Sequence, residues 1–325
     1  MRIGVFGVGA MGSLFASGLS VVANVVLIGE WEDQIRAVRA HGVAVEHVDG
    51  STTIHQLVAC LRDEATGPLD TAIVVEKSQQ TPAVARHIAR LLAPDGLAVT
   101  LQNGLGNYEA LRDALGPHRA ALGITSEGAT LLGLARVRHA GNGYTNFGLT
   151  DGLSPRQRRL LAYLSAAFGD AGFPAAVVDE PERLLWDKLA VNAAINPLTA
   201  LLRVPNGFLL EHPALTAIMD RAAQEVAAVA AAQGIRLSDE PDARARAVAR
   251  ATAANHSSML QDILRGSPTE IDAICGQVAA LGGRHAVATP LNRRLTELVH
   301  AAERGELALA QGDVGGLLAL LEMVN

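Results

Sequence analysis

The sequence predicts an α/β chain, with a doubly wound parallel sheet in the first half and an all-α domain in the second. Three observations carry this. Short β-branched runs alternate with helical stretches over the first hundred or so residues, the spacing of parallel strands joined by helical crossovers. A glycine-rich turn, Gly7 to Gly12, separates the first of those strands from the first helix. Beyond "DEPERLLW" the strand signals stop and the chain reads as helix to its end, which sets domains at 1–180 and 181–325.

In chain order, "RIGVFG" (2–7), "NVVLIG" (24–29), "DTAIVVEK" (70–77) and "GLAVTLQN" (96–103) are the strands of the first half. Branching at Cβ stiffens such residues against a helix and suits them to a pleated surface. "AMGSLFASGLSVV" and "TPAVARHIARLLAPDG" are the helices between them. From 119 to 149 the chain is strand-rich, with turn signals throughout "GATLLGLARVRHAGNGYTNFG". A helix is expected from Pro155, because proline suits a first helical turn, and a short strand "PAAVVD" follows it. The alanine-rich "EVAAVAAAQG" (225–234) is ordinary helix, and no internal repeat is present.

A chain of 325 residues can form two cores, and 49% apolar residues place it among globular proteins. Net charge is −6, no basic run occurs, and aromatic residues make up 3%. Phosphates would find little to neutralise them and bases little to stack on, so neither nucleic acid nor a membrane surface is an expected partner. No uncharged apolar run is long enough to span a bilayer, and no basic-then-apolar leader follows Met1. Cys60 and Cys275 stand in unlike contexts without a CxxC pair. That fits a reducing, cytoplasmic setting, with both as buried small hydrophobes. The ten histidines show no ligand spacing, so no metal site is expected.

Gly7-Val8-Gly9-Ala10-Met11-Gly12 is a G-x-G-x-x-G that follows a strand and opens a helix. In that context it is a dinucleotide fingerprint, and the first domain is of Rossmann type. Gly7 allows the tight turn, Gly9 lets a pyrophosphate approach the main chain, and Gly12 lets helix and strand pack closely. Ala10 and Met11 begin the helix whose N-terminus faces the phosphates. Glu30 lies 18 residues after Gly12, at the end of the second strand, where such sites place the reader of the ribose. A carboxylate there accepts from the 2′-OH of NAD and repels the 2′-phosphate of NADP. The same residue also reads as a solvated glutamate ahead of the exposed helix "WEDQIRAVRA". Arg36 and Arg39 lie too far along that helix to be first choices for a phosphate. Lys77 closes a strand at the ligand-binding edge of the sheet, though a surface lysine at a loop start has the same pattern. Asn103-Gly104 follows a strand and precedes a helix near the expected nicotinamide, and is equally a common turn pair.

In "WDKLAVNAAINPLTALLRVPNG" (186–207), Lys188, Asn192 and Asn196 recur at i, i+4 and i+8. They share one face of a helix with a drift of about 40° per step. Leu, Ala, Val and Ile lie between them, and the Glu and Arg of an ordinary exposed stripe are missing. The row reads either as a plain solvent face or, since polar groups converging amid apolar ones mark a pocket, as the wall of a binding cleft, and the missing charges favour the cleft. Pro197 disfavours a helical Asn196, so the helix is expected to end or kink there. Further on, Ser267-Pro268-Thr269-Glu270 reads as a helix start, with Ser267 as N-cap and Glu270 closing a capping box. Ser257-Ser258 reads as helix surface or as hydroxyls bonded back to the preceding turn.

The blocks "GVGAMGS", "EKSQQT", "QNGLGN", "SEGATLLGLARVRHAGNG", "WDKLAVNAAINPLTALLRVPNG" and "SSMLQDILRGSPTEIDAICG" together resemble the ketopantoate reductases, the 2-dehydropantoate 2-reductases. The resemblance covers essentially the whole chain, and the last two blocks are its specific part. It implies an enzyme that reduces ketopantoate to pantoate with a nicotinamide cofactor, on the way to pantothenate and coenzyme A. It makes Lys188 the catalytic lysine, with Glu270 beside it. Asn192, Asn196 and Ser258 become substrate-binding, Lys77 a cofactor-site lysine, and Asn103 a neighbour of nicotinamide ribose and substrate. Its partner is a small 2-keto acid. The long apolar helices would also allow a homodimer.

One departure stands out. Many members carry a basic residue after the second strand for the NADP phosphate, and here that place is Glu30. The family points to NADPH and the charge of Glu30 to NADH. An NAD-dependent paralogue acting on another branched 2-keto or 2-hydroxy acid is therefore the alternative. Enzymes of the 3-hydroxyisobutyrate dehydrogenase type share "GxGxMG" but lack the last two blocks. A non-catalytic NAD(P)-binding redox sensor would have no use for Lys188 with Glu270.

Overall fold

The computed structural model describes residues 1–307 and 309–322. They divide into two compact units. One is Met1–Gln102 with Gly106–Pro181. The other is Asn103–Leu105 with the chain from Glu182 onward.

The first unit contains β1 (Arg2–Phe6), β2 (Asn24–Gly29), β3 (Val43–Glu46), β4 (Thr52–His55), β5 (Val58–Leu61) and β6 (Leu69–Val74). It continues with β7 (Leu92–Thr100), β8 (Ala120–Thr125), β9 (Gly128–Gly133), β10 (Arg136–Gly141), β11 (Thr145–Gly148) and β12 (Ala175–Val178). Its helices are α1 (Ala10–Leu19), α2 (Glu32–His41), α3 (Thr81–Leu91), α4 (Asn107–Leu115) and α5 (Pro155–Asp170). The main sheet has the order β12-β11-β8-β7-β6-β1-β2-β5 and is parallel except where β8 meets β11.

Strand residues alternate between two cores. Val25 and Leu27 pack with Leu14 and Phe15 of α1 and Leu161 of α5, whereas Val26 and Ile28 pack with Val84 and Ile88 of α3 and Leu111 of α4. Both faces are covered, which is why the sequence shows continuous apolar runs rather than alternation. A second sheet, in the order β4-β3-β10-β9, is built partly from strands at 43–55 that carry little sequence signal. β4 is only four residues long and mostly exposed, so no apolar pattern announces it.

The second unit is helical: α6 (Pro181–Leu202), α7 (Pro213–Ala232), α8 (Pro241–Ala251), α9 (Ser258–Arg265), α10 (Gln277–Arg284), α11 (Pro290–Glu303) and α12 (Val314–Glu322). α6 continues past Pro197 to Leu202, which corrects the expected end at Asn196. Proline cannot donate to the carbonyl of Ala193, and the Cys275 thiol lies 4.0 Å from that oxygen as a weak substitute. Burial of Leu198, Leu201 and Leu202 in the core carries the helix onward, because packing outweighs local propensity in a buried helix.

Candidate active site

In the first unit, the loop from β1 to α1 has the steric form that a dinucleotide requires. Gly7 has φ +126°, a backbone that side chains avoid, and its N–H donates to the Ile28 carbonyl at 2.9 Å. A Cβ on Gly12 would lie 1.6 Å from the Gly7 oxygen, so helix and turn touch there. A Cβ on Gly9 would meet no atom within 4 Å. Gly9 is the N-cap of α1, and no side chain caps that end. An open approach to uncapped N–H groups at a helix N-terminus, with Ala10 and Met11 in the first turn, fits a pyrophosphate.

Glu30 follows β2 and its Oε1 pairs with Arg62 Nη1 at 2.6 Å. Arg62 was not singled out in the sequence, since nothing in "ACLRDEA" marks its arginine as special. It is buried, lies 3.6 Å from Glu76, and donates through Nη2 to Gln80 Oε1 at 3.1 Å. Burial pushes the Glu76 carboxyl up from its usual range, and the Arg62 charge opposes that. Arg36 and Arg39 are engaged elsewhere, with Asp33 and Glu64. β6 ends at Val74, so Lys77 lies three residues beyond the strand rather than closing it. There its carbonyl accepts the Gln80 N–H at 2.9 Å, at the start of a single 3₁₀ turn, Ser78–Gln80.

In the second unit, Lys188, Asn192 and Asn196 lie along α6, the first two half-buried and Asn196 buried. Glu270 is buried at 8% exposure, and its Oε2 accepts from Asn103 Nδ2 at 3.1 Å. Burial lowers the Lys188 ammonium from 10.5 to about 8, while the Glu270 charge opposes the shift. Lys188, Glu270 and Asn103, far apart in the chain, thus come together.

Two sets of bonds hold this cluster. The Leu105 N–H donates to the Ala273 carbonyl at 2.8 Å, which straps the Asn103 loop to the turn after Glu270. Gly104, at φ +80°, leaves no room for a side chain, since its Cβ would stand 2.3 Å from the Ala273 oxygen. From the other side, the Thr269 N–H donates to Glu303 Oε1 at 2.7 Å. His300 holds Glu303 and Asp272 at 2.8 Å through its two ring nitrogens. Burial pulls the His300 pKa down, but the hydrogen bonds and charges of both carboxylates together outweigh it and raise it.

The expected capping box at Ser267 is absent. A π turn begins at Asp272 and α10 follows it, so Glu270 precedes the helical segment instead of occupying its third position. Its carbonyl accepts the Ile274 N–H at 3.1 Å, while its side chain bonds to Asn103. Of the serine pair, Ser257 is the buried one. It caps α9 by accepting the Leu260 N–H at 3.1 Å, and its hydroxyl lies 2.8 Å from that of Thr199 on α6. Ser258 is the exposed first residue of α9.

Chemically, a lysine poised near neutral pH beside a carboxylate and an amide can pass a proton to a carbonyl oxygen as hydride reaches its carbon. No group of metal-ligating side chains occurs among the described residues. None of the helices among them is long and apolar enough to cross a membrane.

A Rossmann-type sheet with a dinucleotide loop, and a helical unit with an ammonium–carboxylate–amide cluster, define a nicotinamide-dependent dehydrogenase. A family model described as ketopantoate reductase PanE/ApbA matches residues 3–152, and its C-terminal counterpart matches 181–303. The chain belongs to the ketopantoate reductase family, NAD(P)-dependent oxidoreductases acting on a CH–OH/C=O group. It is 36% identical to a 2-dehydropantoate 2-reductase of Halobacterium salinarum, over 94% of this chain and 99% of that one. A ternary structure of D-mandelate dehydrogenase with NADH and anilino(oxo)acetate matches with TM-score 0.88 and 28% identity, over 94% and 99% of the two chains. A PanE/ApbA family ketopantoate reductase from Ralstonia eutropha matches with TM-score 0.84 and 29% identity, over the same shares.

Proposed function

We propose that the protein reduces ketopantoate to pantoate, a step toward pantothenate and coenzyme A, with Lys188 as the proton donor. The observation that carries this is the Lys188–Glu270–Asn103 cluster. When bound, a reduced nicotinamide supplies the hydride. The chain's own residues supply the rest. Gly7, Gly9, Ala10, Met11 and Gly12 cradle the pyrophosphate, and Lys77 and Asn103 serve the remainder of the cofactor. Asn192, Asn196 and Ser258 orient the 2-keto acid, with Ser258 on its carboxylate. Lys188, with a pKa of about 8, is mostly protonated at neutral pH, so its ammonium stabilises the growing oxyanion and donates the proton to it. Glu270 accepts a hydrogen bond from the new hydroxyl and favours the charged lysine.

A second reading has its own support. Glu30 favours NADH over NADPH, and a D-mandelate dehydrogenase solved with NADH matches this fold closely. An NADH-dependent enzyme for another 2-keto acid follows from that pairing. Steady-state kinetics with NADH and NADPH on ketopantoate, branched aliphatic 2-keto acids and an aryl 2-keto acid tests both. Highest kcat/KM on ketopantoate is the expected result. A clear preference for another acid moves the assignment to the second reading, and no turnover on any acid sinks both.

A further inference from the structure

We propose that Arg62 is the positioning residue for cofactor choice: it holds the Glu30 carboxylate in one orientation, with one oxygen committed to the guanidinium and the other left for a ribose hydroxyl. The inference rests on Glu30 as the ribose reader. It adds the device that makes an exposed carboxylate able to read.

Glu30 alone is poorly suited to that task. Its side chain is 57% exposed, and a glutamate so exposed samples several rotamers whose ordering costs binding energy. Arg62 removes that freedom. Its side chain is 8% exposed and lies against Glu30, Glu76 and Gln80. A planar guanidinium held at several points is itself fixed, and it fixes what it pairs with. Among the described residues, only Oε1 of Glu30 is engaged.

The charges in the group also select. Arg62 lies between two carboxylates, Glu30 at 2.6 Å and Glu76 at 3.6 Å. Its positive charge is thus already answered, and a 2′-phosphate arriving at Glu30 would find the Arg62 guanidinium taken. A 2′-hydroxyl would instead donate to the free oxygen, a bond to a charged group that binding measurements resolve. The three residues follow β2, β5 and β6, all at the carboxyl-end edge of the sheet where ligands bind in doubly wound folds. Arg62 Nε is buried without a hydrogen-bond partner. The arginine is therefore not placed here by its own hydrogen-bonding needs alone.

Equilibrium binding of NADH and NADPH, followed by nicotinamide fluorescence, tests this on the full chain without requiring turnover. A wrong substrate assignment therefore leaves the result readable. Arg62→Met should weaken NADH by about tenfold and leave NADPH within a factor of about two, so that the preference for NADH shrinks. In a Glu30→Gln background the same change should leave NADH binding nearly unmoved, because Arg62 acts through Glu30. Arg62→Lys keeps the buried charge but not the flat fork, and should show a smaller shift of the same sign. It carries the test if the methionine variant does not fold. Selective loss of NADPH binding would overturn the proposal by making Arg62 a phosphate ligand. An equal loss of NADH binding with and without Glu30 would overturn it by making Arg62 merely structural. A wild type that prefers NADPH would remove Glu30 as reader, and the proposal with it.

Discussion

Two short segments of this chain have the same local pattern and different fates. Ser154-Pro155-Arg156-Gln157 and Ser267-Pro268-Thr269-Glu270 are both S-P-x-[E/Q] ahead of a helical stretch. At the first, the capping box forms. The Ser154 hydroxyl accepts the Gln157 N–H at 3.3 Å, Gln157 Oε1 accepts the Ser154 N–H at 2.8 Å, and α5 begins at Pro155. At the second it does not. Glu270 turns to Asn103, lies near enough to Lys188 to act on its charge, and leaves the helix to start after it. A local rule holds where nothing competes and yields where a distant partner binds the same side chain. In a folded protein such exceptions gather at functional sites.

Lys188 is where this contrast is tested most severely. Lys188→Ala should lower kcat by roughly 10³-fold or more while NADH binding stays near normal, read by single-turnover kinetics beside cofactor fluorescence. Near-normal turnover would remove the reason for Glu270 to leave its box.

The pH profile comes next. With Lys188 as the proposed proton donor, kcat/KM for the 2-keto acid should be flat at lower pH and fall about tenfold per unit above about 8, where Lys188 loses its proton. Oxidation of the hydroxy acid needs the free amine and should rise through the same range. Glu270 favours the charged lysine, so Glu270→Gln should move both midpoints to lower pH. A midpoint that stays in place would separate the two residues.

The smallest effect belongs to the segment that kept its box. Gln157→Ala should cost about 1 kcal/mol of stability, seen as a lower Tm, with kinetic constants unchanged. Glu270→Gln should show the reverse balance, a large kinetic loss with little loss of stability.

Much of the fold was legible in sequence because the signals were local. The runs at 2–7 and 24–29 are β-branched, the glycines of 7–12 sit between strand and helix, and Pro155 opens a helix. The strands at 43–61 were not, being short and partly exposed, and β3 takes as one partner β10, which is distant in the chain. The continuity of α6 through Pro197 was hidden for a related reason. A proline lowers helix propensity locally, and only the core around Leu198 and Leu201 outweighs it.

The candidate site divides in the same way. Its candidate dinucleotide loop is six consecutive residues whose form is a matter of main-chain geometry, and their order alone sets that form: Gly12 touches Gly7, and Gly9 leaves space open. Helix periodicity likewise determined that Lys188, Asn192 and Asn196 share a face. What those side chains meet depends on long-range packing. Asn103 and Glu270 are 167 residues apart, and Arg62 reaches Glu30 from another strand end. Contacts of that kind depend on how strands and helices pack, and short-range spacing contains no record of them.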